Sequence, residues 1–457
     1  MNENRAVFEE LPVPKALASL AAPTIISQLI TMIYNLADTF FIGRTNNPYQ
    51  VAAASLSFVL FFFLNGLANL FGVGGGSLIS RLMGRGQDGE AKRVCAFSLY
   101  GALLASGLYA LVCGVWMEPI LWALGASKET FRYAAQYAKW VIVVGAVPAT
   151  LSMTMAHLLR SEGYARHAGF GLGMGGVLNI ILDPLFMFVI LPPGMEVAGA
   201  AFATMLSNGC ALLYFCVVYF CLRRRALISA SPRAAWMPWA LVRPLLAVGL
   251  PAALTSFFGC VANMSINRLA AGYSDHAVAA MGIVKKIDML PMNVGIGLCQ
   301  GMMPLVAYNY SAKNYQRMHE AVRCTRIAGF SFAAACVLAF ELLAPQAVRL
   351  FIDDAETVRL GAVFLRIACT AVPFTILNIQ ASHIFQAIGR GPQSLLLASC
   401  RQGLINLPMQ FLLNATVGVY GLISAQPVAD VLTAVASLIL YSRLARQLAR
   451  EGAARCA

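Results

Sequence analysis

The sequence predicts an all-α integral membrane protein of twelve transmembrane helices, built as two six-helix bundles related by pseudo-two-fold symmetry in parallel repeats. Three observations lead there. The 457 residues are 59% hydrophobic and only 12% charged, with a mean hydropathy of +0.70, where an average soluble domain carries about 25% charged residues. Apolar stretches of the ~20 residues needed to cross ~30 Å of hydrocarbon recur along the whole chain. The second half also repeats the pattern of the first.

The first apolar segment, 16–42, is too long for a signal-peptide core and lacks a small-residue cleavage pattern, so it reads as a retained span. Segments 51–80, 94–117, 131–157, 168–190 and 197–222 complete the first six. Segments 244–271, 277–307, 325–343, 358–385, 393–413 and 419–442 form the second six. None alternates with the period of two of a membrane barrel strand. The expected division is an N-terminal lobe over 1–222, a cytoplasmic linker over 223–243 containing RRRALISASPR (223–233), and a C-terminal lobe over 244–457, with no separate soluble domain.

The two halves correspond at a shift of about 225 to 230 residues. APTIISQLITMIYN (22–35) answers LPAALTSFFGCVAN (250–263), pairing Pro23 with Pro251 and Asn35 with Asn263. LNIILD (178–183) answers INLPMQ (405–410), pairing Asn179 with Asn406. An even number of helices per half means that both enter the membrane in the same sense. Two such bundles joined by a linker form the architecture of a transporter whose lobes rock about a central path.

The net charge of +13 is distributed by loop. With the N-terminus inside, 23 of the 33 Lys and Arg fall on one side, among them Arg81, Arg160, Arg223 to Arg225, Arg233 and Arg401. Six fall on the other: Arg44, Lys128, Arg132, Arg268, Arg349 and Arg359. Loops rich in Lys and Arg stay in the cytoplasm. A multi-pass protein of the cell (inner) membrane with both termini cytoplasmic is therefore expected, and the excess charge records topology rather than nucleic-acid binding. The twelve cysteines show no CxxC or Cys/His ligand spacing, so neither a metal nor a redox role is assigned to them.

Polar residues inside apolar segments point to function. In NLADTFFIG (35–43), Asp38 is a carboxylate deep in a span, where it costs roughly 2.5 to 3.5 kcal/mol at the bilayer centre and usually faces a protein interior or a wet cavity. Asn35, Tyr34, Thr31, Gln28 and Ser27 precede it at helical spacing. Asn179 and Asp183, Asn65 and Asn69, and Thr204 and Asn208 each stand four apart, on one helix face. Two carboxylates among amide and hydroxyl oxygens can hold a small cation or share a proton. The structural alternative is that Asp183 caps a break before Pro184 and that Asp38 hydrogen-bonds within its bundle.

Pro23, NLADTFFIG, LISRLMGRG (78–86), RSEG (160–163), LNIILDP (178–184) and VAGAAFAT (197–204) together give a resemblance spanning nearly the whole chain. The sequence resembles the MATE family, the multidrug and toxic compound extrusion transporters, within the wider group of multidrug, oligosaccharidyl-lipid and polysaccharide flippases. The resemblance implies alternating-access antiport, in which entry of H⁺ or Na⁺ drives export of organic cations and drugs. Asp38, Asn179, Asp183 and Thr204 match the family's N-lobe cation site, and Pro23 matches a proline where the first helix bends. The resemblance implies no cofactor beyond a bound Na⁺ and no partner beyond ions, substrates and the bilayer, and a monomer is expected. Thr31, Tyr34, Asn35, Asn65, Asn69 and Lys286 are assigned to the substrate cavity.

The chain departs from some branches of the family by having no acidic residue from Pro251 to Ala271, only Asn263 and Asn267, so no C-lobe cation site is expected on that helix. In KKID (285–288), Lys285 and Asp288 are three apart and can pair on one face. His157 and His383 are left outside the site, and GVGGGS (72–77) reads as close helix packing rather than a phosphate loop. The rival functions are a flippase for a lipid-linked substrate and an intramembrane enzyme. The second is disfavoured because the chain has neither an HExxH motif nor a convincing nucleophile-base set.

Overall fold

The computed structural model describes every residue except 1, 2, 46, 193, 224, 225, 228, 230, 232, 233, 271 and 457. Arg224, Arg225 and Arg233, assigned above to the cytoplasmic linker, lie outside the described residues. A short helix α1 (Glu3–Glu9) precedes six crossings: α2 (Val13–Gly43), α3 (Pro48–Gly84), α4 (Asp88–Val115), a bent fourth crossing, α8 (Ala165–Leu185) and α9 (Glu196–Leu222). The short α5 (Met117–Ala123) leads into the fourth, which joins α6 (Lys128–Ala138) to α7 (Ala146–Ser161) at 50°. The second six are α10 (Trp239–Ala270), α11 (Asp275–Ser311), α12 (Tyr315–Arg349), α13 (Ala355–Cys369) bent by 44° into α14 (Val372–Ala387), α15 (Gly391–Ser399) with α16 (Asn406–Val417), and α17 (Val419–Cys456).

Hydropathy locates spans but is blind to breaks within them. The apolar segments at 131–157, 358–385 and 393–413 are each two helices. π-helical turns occupy 139–144, 400–404 and also 186–190, the last just beyond Pro184. A π turn shifts the hydrogen-bond register by one residue and commonly marks functional positions. Residues 239–243 of the expected linker already belong to α10. Among the described residues, nine single helices and the two bent pairs are long and apolar enough to cross a membrane. The broken α15–α16 segment completes twelve.

The buried apolar residues divide unevenly. One cluster joins both lobes near the chain termini, including Leu17, Leu20, Leu82, Leu159, Met302, Val306, Phe385 and Leu448. At the other end, the N-lobe has its own cluster around Leu64, Leu121 and Ile142, and the C-lobe another around Met281, Phe364 and Leu422. The lobes therefore share one core at the end that carries the termini and have separate cores elsewhere.

The seam is led by two helix pairs, α3 against α10 and α2 against α11, with α3 also meeting α11. Gly249 of α10 allows the first, because a Cβ there would stand 2.1 Å from the Leu70 carbonyl oxygen. Gly74, in the GVGGGS stretch, meets the Leu245 carbonyl in the same seam, in agreement with the packing role expected for that stretch. Gly249→Val is expected to lower the thermal midpoint in detergent, since forcing added methyls into a packed seam costs about 1–3 kcal/mol or more. An unchanged midpoint would show that the seam yields.

At the end with the shared core α1 touches both lobes. Arg5 Nη2 donates to Asp88 of α4 at 2.5 and 2.6 Å, while Arg317 of α12 donates to the Phe8 carbonyl at 2.6 Å and to that of Leu11, and Tyr308 of α11 donates to Glu9. Phe8 is fully buried, and its ring stacks 5.0 Å from that of Tyr308. Near the same end, buried Glu162 accepts the Leu227 N–H at 2.8 Å. That bond ties the loop after α7 to the interlobe stretch, and burial pushes the Glu162 carboxyl up to about 8.

Candidate functional site

The helical spacing of LNIILD sets the centre of the site. Asn179 and Asp183 lie one turn apart on α8 and face α9, where Thr204 sits. Asn179 Nδ2 donates to Asp183 Oδ1 at 3.1 Å and to Thr204 Oγ1 at 3.2 Å. All three side chains are buried, Asp183 completely. Asp38 lies on α2, which packs against α8, and makes no hydrogen bond to them.

Three buried oxygens here have no hydrogen-bond partner among the described residues: Asp38 Oδ1, Asp183 Oδ2 and Asn179 Oδ1. Buried polar atoms are ordinarily satisfied, so orphans demand a reason. These are acceptors contributed by two carboxylates and an amide. An oxygen-only donor set suits a hard cation, and a proton on either carboxyl would also convert an acceptor into a donor.

Beside this cluster lies a cavity of about 130 Å³. Thr31 and Tyr34 of α2, Asn65 of α3, Asn179 of α8 and Thr204 of α9 are in its wall, together with Gln28 and Asn208. The two carboxylates stand just outside that wall. Three residues assigned to the cavity from sequence do not line it. Asn35 is rotated about 100° from Tyr34 by the helix, and its carbonyl accepts the Thr39 hydroxyl. Asn69 reaches across the seam to Ser256 Oγ at 3.4 Å. Lys286 sits on α11 away from the wall, and the expected Lys285–Asp288 pair does not form because Lys285 Nζ donates to Asn267 Oδ1 at 2.8 Å. Pro23 lies within an unbroken α2, whose close neighbours there are α8 and α11: a Cβ on Gly169 would meet the Pro23 oxygen at 2.5 Å.

Sequence reasoning also missed residues. His157, Arg160 and Gln300 close one end of the cavity. Arg160 belongs to the interior rather than to the cytoplasmic loop in which it was counted, since it ends α7 with its side chain turned inward. In the C-lobe, Arg401 is likewise internal and makes a 2.7 Å ion pair with the fully buried Asp430. Thr375 donates to the other Asp430 oxygen at 2.6 Å. The clue was present in AQPVADVLTA, which like NLADTFFIG places a lone carboxylate in an apolar span. At the counterpart of the N-lobe cluster, Asn406 donates to Gln426 at 2.6 Å and Gln410 to Asn406 at 3.4 Å. Gln410 holds the place of Asp183, so this C-lobe copy carries no charge.

Twelve crossings in two lobes and a polar cavity among the apolar helices are the features of a multi-pass membrane transporter. The MatE family profile matches residues 23–185 and 251–412, once in each lobe. The multidrug export protein MepA of Staphylococcus aureus strain MSSA476 is 30% identical over 447 residues, covering 98% of this chain and 97% of that protein. MepA of Staphylococcus saprophyticus is similar to the same extent. Among solved structures, a MATE transporter in complex with MaL6 superposes with a TM-score of 0.92 at 24% identity, over 98% of this chain and 100% of that one. An outward-facing MATE transporter of the MOP superfamily gives 0.89 at 24%, over 98% of each chain. The chain belongs to the MatE family.

Proposed function

We propose that this protein is a secondary active antiporter that exports organic cations and drugs across the cell (inner) membrane in exchange for H⁺ or Na⁺, working as a monomer with both termini cytoplasmic. The observation that carries the reading is the set of three unsatisfied buried oxygens on Asp38, Asp183 and Asn179, acceptors that suit a small cation, with a carboxyl also able to take a proton. Asn179 and Thr204 belong to both the cluster and the cavity wall, so a ligand in the cavity competes with the ion for the same groups. At about 130 Å³, the cavity is smaller than the ~300 Å³ of a small drug pocket. The cavity in this conformation is therefore narrower than a bound drug requires, and export needs it to widen.

The test is transport by purified protein in liposomes, with a fluorescent organic cation inside or outside and pH and Na⁺ gradients imposed separately. One gradient is expected to move the dye uphill, and the other to have no effect. Dye that equilibrates without responding to either gradient would refute antiport.

A further inference from the structure

The cavity has a second charged end. Arg160 of α7 is 3% exposed. Its Nη1 makes two contacts, to His157 Nδ1 at 3.3 Å and to Gln300 Oε1 at 3.2 Å. Both partners are uncharged in this arrangement, because an Nδ1 that accepts from a guanidinium belongs to a neutral imidazole. Arg160 Nε is buried and has no partner among the described residues. Among those residues no carboxylate lies within 4.0 Å of this guanidinium, and no acid lines the cavity or the smaller pocket of about 30 Å³ that runs from Arg160 towards His383. Arg401, the comparable arginine of the other lobe, has its carboxylate in Asp430.

A buried guanidinium without a counter-ion is costly, and the usual resolution is pairing with an anion. Here the cavity is the larger of the two open spaces that Arg160 lines. The guanidinium offers five N–H donors in a planar fork suited to a carboxylate, sulfonate or phosphate, and Gln300 brings the C-lobe to the same point.

We propose that Arg160 is an anion subsite of the transport cavity, so that the substrates held best are zwitterions whose cationic part lies towards Asp38 and Asp183 and whose carboxylate meets Arg160. This rests on the cation-export reading above and narrows its substrate class. When the cavity widens to admit such a molecule, the carboxylate replaces Gln300 as the acceptor at Arg160. The site then discriminates against molecules that are cations only.

Tetramethylrhodamine as its free carboxylate and as its methyl ester forms a matched probe pair, differing at the anionic group. Binding of each to purified protein in detergent is measured by fluorescence anisotropy, in chloride-free gluconate buffer and again with chloride. The parent is expected to prefer the acid by about tenfold, the value of one charge-assisted contact. The acid-to-ester ratio should fall to near one in Arg160→Gln and be partly kept in Arg160→Lys. An equal affinity of the parent for both probes overturns the subsite while leaving cation export standing, and needs no variant. Binding of the acid with none of the ester is the extreme of the expected preference and supports the subsite, since both probes carry the same cationic xanthylium; binding of neither removes both readings. Ester affinity that rises with chloride in the parent and not in Arg160→Gln would assign the guanidinium to an inorganic anion and overturn the proposal.

Discussion

Asp183→Asn is expected to reduce ion-driven movement of an organic cation in liposomes to the level of protein-free vesicles. The substitution is nearly isosteric, and the Asn179 amide can still donate to the new side-chain oxygen, so the bundle should survive. What disappears is a charge in a buried cluster where three oxygens lack partners. Without it the cluster keeps the single carboxylate of Asp38 and loses the one hydrogen-bonded to Asn179, so the coupling between ion and drug, a difference in affinity between two occupied states, is expected to collapse. Asp38→Asn should act in the same direction. Its signature is best read in binding: drug affinity of the parent should fall as one coupling ion rises at fixed concentration of the other, whereas the variant should bind weakly and without that dependence. Asn263→Ala, on the first helix of the other lobe, should weaken export without uncoupling it. An Asp183→Asn protein that still drives the dye uphill under the parent's gradient would move the coupling site elsewhere.

Arg401→Ala should be the most destabilising of the single changes considered. Asp430 is completely buried, with Arg401 on one oxygen and the Thr375 hydroxyl on the other. Its backbone carbonyl accepts from Asn378, whose own side-chain oxygen accepts from Ser437. Removing one member of a buried pair leaves an uncompensated charge and typically costs about 3–5 kcal/mol. The expected outcome is poor recovery of folded protein and a markedly lower thermal midpoint. The double variant Arg401→Gln with Asp430→Asn should regain most of the loss, because removing both charges together avoids the orphan. If the single variant matches the parent, Asp430 already has another counter-charge or a proton.

Much of this architecture was legible in the chain, for a definite reason. A bilayer leaves helix length and hydrophobicity little freedom, so twelve apolar stretches translate directly into twelve crossings. The cluster of Asn179, Asp183 and Thr204 was legible because i to i+4 spacing fixes a face, and α8 and α9 are neighbours in sequence. What the sequence concealed depends on rotation and on contacts between distant helices. Asn35 and Tyr34 are adjacent in the chain yet point about 100° apart. Lys285 found Asn267 rather than Asp288 because α10 offered an oxygen at the right height. Arg160 was hidden by its position, since a basic residue at a helix end is normally a topology marker, and only the inward turn of its side chain makes it part of the cavity. Arg401 was counted with the cytoplasmic charges although it lies inside the apolar segment 393–413, at the π turn between α15 and α16, and the charged core of the second lobe was missed with it.

The way α1 is anchored changes what counts as a lobe. It comes first in the chain, but among the described residues its polar link to the first bundle is a partly exposed ion pair between Arg5 and Asp88, of a kind worth about 0–1 kcal/mol. Its bonds to the second bundle are several, and its one large apolar side chain, Phe8, is buried against Tyr308. Mechanically, α1 is a passenger of the half encoded last. The three residues between α1 and α2 therefore form a second covalent hinge, beside the longer connection from α9 to α10, and the two bundles are strung together like a hoop closed at two points rather than a chain of two beads. Any swing of the bundles must be accommodated by both hinges at once. The short one, with almost no slack, limits how far the end with the shared core can part.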